Sequence, residues 1–196
     1  MRANFISHGF NRGRVNLPTN IKSGKLNFST IGGDKVKTAM SDEYVEKIKA
    51  IAREDAKVDK YMKPDGSFNQ LKNAQRQRYI SPDRSKAIGG ASRIVSRVNN
   101  FPKTGKATFR LKGQPFSGVV YKGLTKTTAE VYDDKGQMIA GYNGIGWTSV
   151  PTRAEEQFDS QSVQIYAAAY DAAKAEMRAS SQVQSAAATV SLDVKA

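Results

Sequence analysis

The chain has 196 residues, a net charge of +13, no cysteine and a hydrophobic share of 39%. That share lies below the globular average of about 45–50%, which predicts a packed core with polar ends rather than packing along the whole length. Disulfides, zinc–thiolate sites and thiol nucleophiles are excluded, and the absence of an apolar run of signal-peptide or bilayer-spanning length predicts a soluble, cytoplasmic protein with no membrane partner.

Residues 1–38 read as a flexible basic arm. Glycines 9, 13, 24, 32 and 33 and Pro18 interrupt it, and its apolar residues follow neither helical nor strand period. Arg2, Arg12, Arg14, Lys22, Lys25, Lys35 and Lys37 stand against a single acid, Asp34, with Phe5, His8, Phe10 and Phe28 among them. Such an arm can follow a phosphate backbone and stack aromatics on bases; a solubilising tail has the same composition.

Residues 39–80 read as a helical segment. Tyr44, Ile48, Ile51, Val58 and Met62 fall near helical spacing and predict a helix over 42–62, with Ser41 or Asp42 at its N-cap. Lys63-Pro64-Asp65-Gly66 is a turn, and 67–79 is a shorter helix carrying Arg76 and Arg78.

Residues 81–178 read as the core domain. Ser81-Pro82-Asp83 opens a helix over 82–98. At about 100° per residue, Ala87, Ile88, Ala91, Ile94, Val95 and Val98 share one arc, while Lys86, Arg93 and Arg97 fall within about 40° of one another opposite it. Gly89 and Gly90 weaken this helix by about 1 kcal/mol each, or admit a close neighbour. The interval 66–115 holds eleven Lys/Arg with only Asp83 against them. That density favours a binding face over a merely solvated one.

An antiparallel meander of three or four strands is predicted next: 107–111, 116–121, 128–132 and 137–142. The last two form a hairpin around Asp133-Asp134-Lys135-Gly136. Thr108, Arg110, Lys112, Lys122 and Lys126 are read as outward-facing, and 144–151, with the only tryptophan, as a connection. Thr152-Arg153-Ala154-Glu155 is a capping box. It starts a helix to about 178 that packs on the sheet through Phe158, Ile165, Tyr166, Ala169, Tyr170, Ala173 and Met177. Residues 179–196 read as a loose tail, with 189–194 as a candidate edge strand. The fold class is therefore α+β.

Charge is segregated. Residues 1–126 carry 26 Lys/Arg and nine Asp/Glu, a net +17, whereas 127–196 carry five and nine, a net −4. Segregated positive charge suits nucleic acid, a nucleoprotein complex or an acidic protein. The single histidine, His8, lies in the arm, so a Ser–His–Asp site is not expected; Gly141–Gly146 only loosely echoes a glycine-rich nucleotide loop. No catalytic residue, metal or cofactor is expected. The expected function is non-enzymatic binding of DNA or RNA, mainly through phosphates, by Arg12, Arg14, Arg76, Arg78, Lys86, Arg93, Arg97, Arg110, Lys112 and Lys122. The alternative is a protein-binding module or inhibitor, possible in a phage or mobile element, that docks on a nucleoprotein complex or acidic partner. A minor alternative is a metal-dependent nuclease using Asp83 with Asp133, Asp134 and Lys135.

Overall fold

A computed structural model describes residues 34–190, with side chains to 182. Ten elements follow one another: α1 (Asp34–Ala39), α2 (Asp42–Lys57), α3 (Ser67–Tyr79), α4 (Arg84–Asn99), β1 (Gly105–Arg110), β2 (Ser117–Lys122), β3 (Thr127–Tyr132), β4 (Met138–Tyr142), β5 (Trp147–Ser149) and α5 (Arg153–Val190). The class is α+β. The five strands form one antiparallel meander in the order β1-β2-β3-β4-β5, one strand more than the sequence predicts. The added strand is the stretch around Trp147, where Tyr142 pairs with Trp147 and Ala140 with Ser149.

Two packed regions meet at the chain crossings 80–84 and 150–155. In the first, α5 lies along α2, with α1 and α3 against it. Tyr44, Ile48, Phe68, Phe158, Ile165 and Tyr166 fill its centre. The Tyr166 hydroxyl donates to Asp55 at 2.7 Å and accepts from the Met62 amide at 3.1 Å, so its polar end is satisfied inside the core. In the second region α4 covers one face of the sheet. Ala87 and Ala91 pack on Leu111, Phe116, Val131 and Ile139, and Val95 packs on Val120 and Ala129. The long C-terminal helix reaches the sheet through its first turn, where the Arg153 amide donates to Gln137.

Local differences from the sequence reading have identifiable causes. Helix α2 stops at Lys57 instead of 62 because Asp59 takes a left-handed φ of 54°. The Lys60 amide then donates to Asp55 and that of Asp59 to Ala56, the paired bonds of a Schellman end. Val58, expected in the apolar arc, is exposed. Of the arm, residues 1–33 lie outside the described residues, but 34–38 are not arm: Val36, Ala39 and Met40 are buried against the helical region. The backbone of 179–190 continues α5 rather than loosening or forming a strand; residues 191–196 lie outside the described part. Among the described residues no helix is long and apolar enough to cross a membrane.

Candidate nucleic-acid interface

Helix α4 carries the densest set of candidate contacts. Asp83 caps it, accepting from the Lys86 amide at 3.1 Å. Ala87, Ala91 and Val95 of its apolar arc are buried, with Ile88, Ile94 and Val98 partly so, and Gly90 explains how closely it lies on the sheet: a methyl there would sit 2.7 Å from Leu111 Cδ1. Gly89 faces open space.

The opposite face exposes Lys86, Arg93 and Arg97. Helical rise spreads these three over about 16 Å. Gly89, Ser96 and Asn100 are exposed beside them, so nothing bulky separates the cations from a partner. Lys86 also pairs with Asp83 at 2.8 Å. That hydrogen bond and charge raise the Lys86 pKa and lower that of Asp83, so both stay ionised at neutral pH. Arg93 and Arg97 carry the unshared charge of the row.

The remaining candidates fall into three groups. Arg110, at the end of β1, and Lys112, in the turn after it, are exposed. Arg78 is exposed at the end of α3, its guanidinium 5.1 Å from the Tyr79 ring. Two others are occupied within the fold. Arg76 bonds Asp159 of α5 at 2.5 Å and is partly buried. Lys122 is not outward: it follows Val120 by two residues, so it shares the α4 side of β2. Its ammonium donates to the carbonyls of Val98 and Asn99 at the end of α4 and of Phe101 just beyond it, Val98 also accepting from the Phe101 amide at 3.1 Å. Arg12 and Arg14 lie outside the described residues.

The uncovered sheet face carries Thr108 and Arg110, read as outward from the sequence, together with Lys106, Tyr121, Glu130 and Tyr132, which that reading does not single out. Strand alternation is the signal for it. Lys106 sits 5.5 Å from the Tyr121 ring. Tyr132 donates to Glu130 at the middle of this face, so an acid occupies the centre of what would otherwise be a stacking platform.

The far end of the sheet brings together residues that the sequence keeps apart. Asp83, Lys86, Gln114, Asp133, Asp134 and Lys135 line a cleft of about 340 Å³. Asp83 is committed to the α4 cap and Lys86, and one Asp133 oxygen accepts from the Lys135 and Gln137 amides at 2.9 and 2.8 Å. Among the described residues no three metal-ligating side chains converge. No family model, curated protein or solved structure matches this chain.

Proposed function

We propose that the protein is a non-enzymatic nucleic-acid-binding protein whose principal contact is the outer face of α4. The observation that carries this reading is the exposed row of Lys86, Arg93 and Arg97, with Asp83 at the cap the nearest acid. A duplex presents one charge per about 1.7 Å of axis, so a row of about 16 Å spans several phosphates. Contacts of this type set affinity and register without reading sequence. Arg110, on the uncovered sheet face, and Lys112, in the turn after β1, would supply separate positive contacts away from this row. The arm, with Arg12 and Arg14, would add further phosphate contacts. Arg76 and Lys122 are left out of the interface, because each already has its partners inside the fold.

Binding to random duplex, single-stranded DNA and RNA over a salt series tests this reading. Release of counterions gives a steep linear fall of log affinity with log salt. A flat dependence, or binding only to an acidic protein, would support the protein-docking module instead.

The cleft joining Asp83 to Asp133 and Asp134 favours a second reading, a metal-dependent nuclease. Its weakness is geometric: Asp83 serves the helix cap and Asp133 closes its own turn.

A further inference from the structure

The end of the sheet opposite the cleft exposes large apolar side chains where turns ordinarily place polar ones. Leu124, in the β2–β3 turn, is 96% exposed, and Ile145, in the β4–β5 turn, is 94% exposed. Phe101, in the connection from α4 to β1, is 62% exposed. A meander places all three at one end. Gly105 pairs with Lys122, Lys122 donates to the Phe101 carbonyl, and a methyl at Gly144 would lie 3.4 Å from Lys126 Cβ.

Both hairpin tips are held tightly. The Gly123 amide donates to Lys126 at 2.9 Å, and Asn143 Oδ1 accepts from the Ile145 and Gly146 amides at 3.0 and 2.9 Å. Neither turn needs an aliphatic residue; turn chemistry favours Gly, Asn, Asp or Ser at such positions. The surroundings have one sign of charge. Residues 101–106, 122–128 and 142–148 contain Lys103, Lys106, Lys126 and the internally bonded Lys122, and no acid.

We propose that this end of the sheet is a peripheral docking surface for an anionic lipid bilayer, with Leu124 and Ile145 entering the interface and Lys103, Lys106 and Lys126 meeting headgroup phosphates. The shape favours lipid over the alternatives. Apolar tips that protrude require either a matching pocket or a fluid surface that yields to them, and interfacial binding grows with inserted apolar area and with attraction to anionic lipid. A nucleic-acid duplex would have to unstack base pairs to accept the same tips. The absence of a spanning helix among the described residues concerns crossing, not contact from one side. The inference is independent of the role of α4.

The test is sedimentation of the full chain with phosphatidylcholine vesicles, alone or with roughly one third phosphatidylserine. Trp147, the only tryptophan, is half-buried two residues from Ile145 and serves as a reporter. The wild type is expected to sediment with the anionic vesicles and to shift its emission to the blue. A chain of net charge +13 binds such vesicles by charge alone, so the decisive variant is Leu124→Ser/Ile145→Ser. Its partition coefficient should fall at least about tenfold, with the emission shift abolished and circular dichroism unchanged. Equal partitioning of variant and wild type, or no preference of the wild type for anionic vesicles, would overturn the proposal. So would loss of duplex binding by the variant with vesicle binding intact, which would assign the tips to nucleic acid.

Discussion

Arg84, in the first turn of α4, donates from both terminal nitrogens to the two carboxylate oxygens of Glu155, in the first turn of α5, at 2.8 and 2.5 Å. The same guanidinium donates to the Ile139 and Val150 carbonyls, and Glu155 accepts from Ser81 and from the Thr152 amide. One pair, with Glu155 buried and Arg84 largely so, thus ties the α4–sheet region to the helical region. Burial alone would raise the Glu155 carboxyl, but Arg84, Ser81 and Thr152 outweigh it and hold it at about 2 against an ordinary 4.5. Glu155→Ala strands a buried guanidinium and should cost about 3–5 kcal/mol in urea unfolding, whereas Ala at exposed Glu156 should cost about 0.5 kcal/mol or less. Because the folded pKa is depressed, the pair's contribution is complete above pH 4.5 and lost as pH falls toward 2. The wild type should lose about 3 kcal/mol over that window from this group, a component absent from the variant.

The capping box that reveals the start of α5 is local, so Thr152 and Glu155 are legible from sequence; the role of Glu155 as partner of Arg84 depends on a residue 71 positions away and is not. The α4 arc is legible for the same reason, since Ala87, Ala91 and Val95 follow one period and are all buried. Charge type alone does not reveal whether a cation is free. Arg76 and Lys122 resemble Arg93 and Arg97 in sequence, yet α5 and the end of α4 occupy them. Helix α1 is too short to show a period, and only tertiary contact identifies Val36 as core.

Adjacent glycines of α4 should respond oppositely to substitution. Gly89→Ala meets no atom within 4 Å and should stabilise by about 1 kcal/mol through helix propensity. Gly90→Ala drives its methyl into Leu111, itself buried, and should destabilise by about 1–3 kcal/mol before the propensity gain. Thermal unfolding of the two variants gives the signs.

Lys122→Met should remove the donor that the Asn99 and Phe101 carbonyls receive at and just past the end of α4, Val98 keeping the Phe101 amide. A loss of about 1–2 kcal/mol in stability is expected, with nucleic-acid affinity within about twofold of wild type, since loss of a single exposed phosphate contact is a larger effect. Chemical denaturation and a binding titration on the same preparation separate the two effects.

Purified protein should show no Mg²⁺- or Mn²⁺-dependent cleavage of DNA or RNA. Asp133→Asn/Asp134→Asn should keep the turn, because an amide oxygen at 133 can accept from the Lys135 and Gln137 amides as the carboxylate does. Cleavage by wild type that disappears in this variant would establish the nuclease reading. The assay is incubation of labelled duplex and single strands with each metal.

The row on α4 is tested most directly by Lys86→Glu/Arg93→Glu/Arg97→Glu, measured against duplex DNA and RNA across a salt series. All three side chains are exposed, so circular dichroism and unfolding should match wild type. Affinity for the bound nucleic acid should fall at least about tenfold near physiological salt, and the log–log salt slope should shrink by about three. A folded variant with wild-type affinity and wild-type slope would contradict the assignment of α4 as the nucleic-acid-binding face.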